Sequence, residues 1–152
     1  MNLVAFDPGK KGGIAKLVNG TFDAIPMPIA GKDLDFQVII QLLESIEPDK
    51  AIVEQQHSRP GMGGAMMFQM GVGYGLILGA LKALKVPTEI VTPQAWKKEV
   101  LAGTPKDKDA AIAYCKHAFP SVSLLATERS KKPHDGMADA LCILEYGRRK
   151  FS

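Results

Sequence analysis

The feature that most restricts the fold is an apolar run near the N-terminus that ends in one acid and a Pro-Gly break. Leu3 to Phe6 are apolar, Asp7 follows, and Pro8-Gly9 stops any regular element. Because the run is apolar on both alternating faces, it predicts a central, buried β-strand. That strand would deliver a carboxylate to one edge of a sheet, where an isolated charge is costly unless a positive group meets it.

Length, charge and cysteine usage are those of an ordinary globular protein. The 152 residues suit one domain spanning 1–152, and the net charge of +3 would tolerate an anionic partner. Cys115 and Cys142 fall in apolar helical patterns, which predicts two buried thiols. No signal peptide opens the chain, and the most apolar run, 72–81, is too short to span a bilayer. We therefore expect a cytosolic protein with no membrane contact.

Residues 2–27 have the pattern of three short strands. The dipeptide Asn19-Gly20 is a strong signal for a two-residue hairpin between the second and third strands. The chain thus opens with an antiparallel meander. A helix is predicted over 33–47, ended by Pro48. Its inward positions would be Leu34, Val38, Leu42 and Ile46.

A second buried strand ends in an acid, as the first does. Lys50 to Val53 lead directly into Glu54. The intervening helix predicts a right-handed crossover that places this strand parallel to the first one. Asp7 and Glu54 would then lie at the same edge of the sheet.

A loop over 55–64 leads into a glycine-rich helix predicted from Ala65 to about Lys85. Glycines at 71, 73, 75 and 79 each cost about 1 kcal/mol relative to alanine in a helix. Close helix packing must offset that cost, either within the fold or across a dimer interface. The methionine-rich face of this helix is expected to belong to the core.

Lysines cluster near two predicted helix starts in the second half of the chain. A fifth strand over 88–91 is followed by Thr92-Pro93, and Thr104-Pro105 repeats this capping pattern before a helix predicted over 106–119. Helix N-termini with nearby lysines suit phosphate groups, although a solvated lysine face gives the same pattern. The lysines are Lys97, Lys98, Lys106 and Lys108.

The last predicted helix, from about 134 to 149, carries two acids on one side. Asp135 and Asp139 are four residues apart, which is an offset of about 40° and a rise of about 6 Å. Asp135 alone could serve as a helix N-cap. Asp139 lies on a partly buried stripe, where an acid has no such structural reason.

The four carboxylates need a common explanation, because unit charges 4 Å apart repel by about 4 kcal/mol at an effective dielectric near 20. Oxygen ligands favour a hard divalent ion such as Mg²⁺ or Mn²⁺. Two such ions would stabilise the attacking and leaving oxygens of an in-line displacement at a phosphodiester. The surrounding lysines then have nucleic acid as a natural partner.

Three motifs in this order resemble the RuvC-type Holliday junction resolvases of the RNase H-like superfamily, especially the small phage members. They are Asp7-Pro8-Gly9 followed by 12–15, then Val53-Glu54-Gln55, then the run 134–141. By this resemblance the family's first, second and last acids fall on Asp7, Glu54 and Asp139. Many relatives place the third acid three residues before the last, which here is Gly136. Asp135 is the acid that this chain offers instead, with His134 beside it as a residue that could assist.

The resemblance implies an α/β fold with a five-stranded mixed sheet, an antiparallel β1-β2-β3 meander followed by parallel strands, flanked by helices. It also implies a homodimeric endonuclease that resolves four-way DNA junctions with two Mg²⁺ ions, or Mn²⁺ in their place. Cleavage would leave a 5′-phosphate and a 3′-hydroxyl. Asp7 would bridge the ions, Glu54 would hold one, and Asp135 with Asp139 the other.

Several alternatives stay open at this point. A nuclease acting on flaps, forks or other branched DNA, or on ribosomal RNA precursors, would have the same acids. A catalytically silent junction-binding module would keep the basic residues. Actin-like ATPases and sugar kinases start with a similar hairpin, but they need a second phosphate-binding hairpin and a much longer chain. The candidate DNA contacts are Lys10, Lys11, His57, Arg59, Phe68, Lys97, Lys98, Lys106, Lys108, Lys131 and Lys132.

Overall fold

The computed structural model describes residues 1–151, which form seven strands and five helices. The strands are β1 (Leu3–Asp7), β2 (Gly13–Val18), β3 (Thr21–Pro26), β4 (Ile29–Ala30), β5 (Asp33–Leu34), β6 (Lys50–Glu54) and β7 (Thr88–Val91). The helices are α1 (Phe36–Ile46), α2 (Gly64–Ala83), α3 (Pro93–Val100), α4 (Ala110–Ala118) and α5 (Asp135–Phe151).

The main sheet has five strands in the order β3-β2-β1-β6-β7. Strands β1, β2 and β3 pair antiparallel, and β6 and β7 continue the sheet in parallel with β1. Asn19 and Gly20 both have positive φ, 50° and 79°, as a two-residue hairpin turn between β2 and β3 requires. The predicted fold class, meander and crossover are therefore confirmed.

The alternation of side chains along β1 divides the core into two layers. Leu3 and Ala5 face the layer that contains α3, α4 and α5, whereas Val4 and Phe6 face α1 and α2. All four are buried. Asp7 continues the first set, so its carboxylate belongs to the face that α5 covers.

The first predicted helix begins three residues late, because a small hairpin precedes it. Strands β4 and β5 form a separate two-stranded sheet, which we did not predict, and Asp35 then caps α1 by accepting the Val38 N–H at 3.2 Å. The buried positions of the helix are Ile39, Leu43 and Ile46, while Val38 is 40% exposed. The predicted inward stripe was thus wrong at Val38, because the buried face of the helix falls one residue later, on Ile39 and Leu43.

Helix α2 is the longest helix and packs by only a narrow stripe. Its buried residues are Gly73, Ile77 and Leu81, whereas Met66 is 63% exposed. The expectation that its methionine face belongs to the core was therefore wrong at Met66. By length and mean hydropathy alone, α2 is also the one helix within residues 1–151 that could cross a membrane. The apolar run over 72–81 is shorter than this helix, because the helix continues through its glycines.

The predicted cap at Thr104-Pro105 does not start a helix. Helix α4 begins at Ala110, and the Thr104 hydroxyl instead donates to the Leu101 carbonyl at 2.7 Å. Lys97 and Lys98 lie in the last turn of α3. The placement of the lysines at two helix starts was therefore wrong, because the 101–109 segment is an irregular connection.

The two cysteines are buried thiols, as predicted. Their Sγ atoms are 3.8 Å apart between α4 and α5, and Cys115 also donates to the Ala138 carbonyl. The contact between the thiols and their burial raise the pKa of Cys142, so it stays protonated at neutral pH.

Candidate active site

Asp7 and Glu54 end two neighbouring parallel strands at the same edge of the sheet. Phe6 of β1 is in register with Val53 of β6, and the two acids are the next residues of their strands. In-register residues of neighbouring strands point to the same face. The structure thus confirms the predicted adjacency of these two strand ends and directs both acids toward α5.

Helix α5 is held against the β1–β2 turn by backbone contacts between glycines. A Cβ atom added to Gly13 would lie 2.6 Å from the Gly136 carbonyl oxygen, and one added to Gly136 would lie 2.5 Å from the Gly12 carbonyl oxygen. Real Cβ atoms do not approach backbone this closely, so only glycine fits at either position. The contact places Asp139, one helical turn further along, beside the end of β1.

The same contact explains why no acid stands at Gly136. That residue is buried against the β1–β2 turn, whereas Asp135 is exposed and Asp139 is partly buried. A carboxylate at position 136 would collide with the backbone of the turn. Asp135 is therefore the acid of the first turn of α5 that reaches solvent near the site.

The carboxyl group of Asp7 is strongly perturbed by its surroundings. Burial and the negative charges of Glu54 and Asp139 raise the pKa of Asp7 to about 8, while Lys97 partly opposes the change. The acids from β1, β6 and α5 therefore lie within electrostatic range of each other. Without a metal ion, the Asp7 carboxyl group would therefore be protonated at neutral pH. A bound cation would take the place of that proton.

Asp139 shows the same causes to a smaller extent. Burial and the charge of Glu54 raise the pKa of Asp139 to about 6, Asp135 adds to the increase, and Lys97 again opposes it. Lys97 is thus the cation whose charge lowers the pKa of both Asp7 and Asp139. Its ammonium group also lies 5.5 Å from the centre of the Trp96 ring.

Glu54 is held by a residue that the sequence did not single out. The indole Nε1 of Trp96 donates to Oε2 of Glu54 at 2.6 Å, and Nε2 of Gln56 donates to Oε1 at 3.4 Å. Trp96 is fully buried. A tryptophan in an apolar pattern is typical of a core residue, so nothing in the neighbouring sequence indicates this contact.

His134 acts as the N-cap of α5. Its Nδ1 accepts the Met137 N–H at 3.1 Å, and its own backbone N–H donates to the Leu124 carbonyl at 2.7 Å. The Asp135 capping alternative is therefore not used. Because Nδ1 is occupied as an acceptor, only Nε2 of His134 could take part in chemistry at the site.

A basic cleft opens beside Asp135 and Asp139. It lies between α3, the 101–109 connection and the starts of α4 and α5. The four lysines predicted to cluster near helix starts all line it, namely Lys97, Lys98, Lys106 and Lys108. Although these lysines are not at helix starts, the structure brings them into one cleft with two of the predicted site acids.

The remaining predicted DNA contacts are exposed side chains on loops and on helix α2. Lys10 and Lys11 lie in the β1–β2 turn, and Lys131 and Lys132 precede α5. His57 and Arg59 are exposed on the loop after β6, and Phe68 of α2 is 75% exposed. None of these side chains contacts the acids in a hydrogen bond or ion pair that the structure records.

The carboxylate oxygens of the four acids are suitable ligands for a divalent ion, but the side chains are not arranged around a position where an ion could bind. They supply only oxygen ligands, and burial together with mutual repulsion raises the pKa of Asp7 and Asp139. Within residues 1–151, however, no three Asp, Glu, His or Cys side chains are close enough to hold an ion in the conformation shown. Binding would therefore need side-chain rotations that bring the carboxylates together.

The architecture is similar to that of two solved structures that align over nearly the whole chain. A Thermus thermophilus RuvC structure aligns with a TM-score of 0.63 and 19% identity, over 99% of this chain and 97% of that one. Thermus thermophilus RuvC in complex with a Holliday junction substrate aligns with a TM-score of 0.66 and 17% identity, over 99% and 96%. The chain has the RuvC fold.

This likeness in fold agrees with the resemblance drawn from the three motifs. No family model matches the sequence, and the search of curated proteins found no relative. At under 20% identity, the RuvC fold accounts for the architecture, and the activity must be argued from the residues themselves.

Proposed function

We propose that this chain is a metal-dependent endonuclease that cuts branched DNA, with four-way junctions as the leading substrate. The observation that carries the proposal is the electrostatic coupling of Asp7, Glu54 and Asp139, three acids from separate elements at one end of the sheet. One of the structures that share the fold is named as a complex with a Holliday junction, which supports the choice of substrate.

Two divalent ions, Mg²⁺ or Mn²⁺, would supply charge stabilisation to the attacking and leaving oxygens of the phosphodiester. Asp7, whose pKa is raised by burial and by the charges of both Glu54 and Asp139, would be the ligand shared by both ions. Glu54 would serve one ion, and Asp139 with Asp135 the other. His134 caps the first turn of α5 through its Nδ1, and that bond does not use Nε2.

The basic cleft would position the cleaved strand. Four lysines along its walls provide charge for the phosphates, and one of them, Lys97, also interacts electrostatically with Asp7 and Asp139. Lys10, Lys11, Lys131 and Lys132 would contact the adjoining arm from the other side of the acids. His57, Arg59 and Phe68 would contact the junction centre. We place this activity, carried by one domain over 1–152, in the cytosol.

A cleavage assay tests the proposal directly. Four-way, three-way, flap and linear duplex substrates are incubated with the protein in Mg²⁺, in Mn²⁺ and in EDTA. We expect paired cuts in the four-way junction that need the metal, with linear duplex uncut. A protein that binds junctions but never cuts them with either metal would instead be the silent binding module, and preferred cutting of flaps or forks would change the substrate.

Removing two lysines of the cleft should weaken DNA binding and its dependence on salt. For Lys97→Ala with Lys108→Ala, the slope of log K against log salt should fall by about 1.8, because each phosphate contact on duplex DNA contributes about 0.9. Binding is measured by fluorescence anisotropy between low and moderate salt. Lys82→Ala with Lys116→Ala, which removes the same charge from exposed positions outside the cleft, is the control. Equal slopes in both variants would contradict the assignment.

We also propose that the protein is a homodimer that associates through α2. Phe68, Val72 and Leu76, four residues apart, are 75%, 43% and 47% exposed. Gly71, Gly75 and Gly79 form a neighbouring row with open space around them. Both rows lie away from the buried stripe. Small residues allow a partner helix to approach closely, which would offset the cost of glycine in a helix. Two copies would then cut two strands of one junction.

Introducing a charge into this surface should dissociate the dimer. Leu76→Glu would bury a carboxylate against the partner helix, and we expect the dissociation constant to rise by about 100-fold or more. Sedimentation measured over a range of protein concentrations gives the result. Val38→Glu, at another exposed apolar position on a helix, should leave the dimer intact. A monomeric wild-type protein, or a variant that stays dimeric, would contradict the proposal.

A further inference from the structure

Trp96 is the only tryptophan of the chain, and its side chain is 0% exposed. It lies in the first half of α3, whose start is fixed by Thr92, which accepts the Ala95 N–H at 3.2 Å. Strand β7 ends one residue before Thr92. The ring thus packs in the core beneath the sheet edge, while its N–H reaches that edge.

The N–H of Trp96 is directed at one oxygen of Glu54. The bond from Nε1 to Oε2 is 2.6 Å long, whereas the contact from Gln56 to Oε1 is 3.4 Å. The first is as short as charge-assisted bonds are, and its donor is rigid and buried. The second is long, and its donor also lies 3.4 Å from the Gln55 carbonyl. One oxygen is therefore fixed and the other remains available.

The chemical type of the donor matters for a metal ligand. Indole can donate one hydrogen bond but carries no charge and accepts none. A lysine or arginine in its place would neutralise the carboxylate and repel a divalent cation. Trp96 can therefore orient Glu54 without reducing the negative charge that would attract the ion. Such hydrogen bonds from surrounding residues orient ligands and strengthen metal binding in proteins generally.

We infer that Trp96 is a positioning residue for the metal site, whose indole N–H holds Oε2 of Glu54 and presents the other oxygen to a divalent cation shared with Asp7. The inference rests on the proposed metal-dependent function and adds a residue to it. In this role Trp96 would act through Glu54 and would itself contact neither substrate nor metal.

The test measures Mn²⁺ affinity without DNA, by calorimetric titration. Trp96→Phe keeps an aromatic ring but removes the N–H. Because the chain has a single tryptophan, a benzothienylalanine isostere can be introduced in a tryptophan auxotroph at this position alone, with sulfur replacing the N–H. We expect both proteins to bind Mn²⁺ about 10-fold more weakly or worse, in line with the loss of an orienting partner. In the wild type, Mn²⁺ should also quench the emission of Trp96.

Phe119→Leu is the control for simple loss of core packing, since Phe119 belongs to the same core layer and packs on Phe22. It should lower thermal stability and leave the Mn²⁺ affinity unchanged. If the isostere binds Mn²⁺ as the wild type does, the role of Trp96 is structural and the inference is overturned, while the proposed function stands. If the wild type does not bind Mn²⁺, both are overturned.

Discussion

Replacing Asp7 by Asn should abolish cleavage and, in the absence of metal, make the protein more stable. The two effects have one cause, because the carboxylate that would bind the cations is buried among other acids. The loss of cleavage should exceed about 10³-fold, since a ligand shared by two ions supports several kcal/mol of transition-state stabilisation and each 1.36 kcal/mol is tenfold in rate. DNA binding should persist, because no basic contact is removed.

The effect on stability follows from the pKa of Asp7, which burial and the charges of Glu54 and Asp139 raise from 3.8 to about 8. Between these two values the native state binds a proton that the unfolded state has released, so stability in EDTA falls as the pH rises from about 4 to 8. Above pH 8 the Asp7 carboxylate is charged in the native state, and the full cost of burying that charge beside Glu54 and Asp139 opposes folding. We expect Asp7→Asn to raise the free energy of unfolding there by about 2 kcal/mol, well below the limit of about 6 kcal/mol that the whole shift would allow.

Thermal unfolding at pH 6 and pH 8.5, with EDTA and with Mg²⁺, gives the measurement. In EDTA the gain of the variant should be larger at pH 8.5 than at pH 6, and Mg²⁺ should stabilise the wild type more than the variant. Asp33→Asn, which changes an exposed acid on β5, should show neither effect. Full cleavage by Asp7→Asn in Mg²⁺ would refute the site, and a loss of stability in EDTA would refute the electrostatic account.

The five strands of the main sheet could be predicted because the decisive signals are local. An apolar run that ends in an acid defines β1, Asn19-Gly20 defines the hairpin, and a helix between parallel strands fixes the crossover. These signals sufficed to bring Asp7 and Glu54 together. The roles proposed for the four acids remain predictions, since no metal or DNA contact has tested them.

The parts that could not be predicted depend on long-range packing. The hydrogen bond from Trp96 to Glu54 joins residues 42 positions apart, and no pattern near either residue indicates it. Thr104-Pro105 has the form of a helix cap, but the Thr104 hydroxyl binds the end of the preceding helix instead. The sequence alone does not explain why position 136 carries glycine instead of an acid. The close contact of Gly136 with the β1–β2 turn explains it.

That contact leads to the second large effect, which is expected for Gly136→Ala. In most helices this substitution would be favourable by about 1 kcal/mol. Here the added methyl group would overlap the Gly12 carbonyl oxygen, 2.5 Å away, and other backbone atoms of the β1–β2 turn. Backbone on both sides cannot rotate aside as a side chain can. We therefore expect a net loss of about 3 kcal/mol, at the upper end for overpacked positions.

Relief of the overlap would move the first turn of α5 away from the end of β1, and Asp139 with it. A displacement of about 1 Å in a positioned group can cost about 100-fold in rate, so cleavage should fall by at least that factor in the fraction of protein that is folded. Thermal unfolding should show a melting temperature lower by about 6–12 °C. Gly64→Ala, at the open start of α2, should be neutral or stabilising. If Gly136→Ala behaves like that control, the glycine contact does not set the position of α5, and another interaction must hold Asp139 beside Asp7.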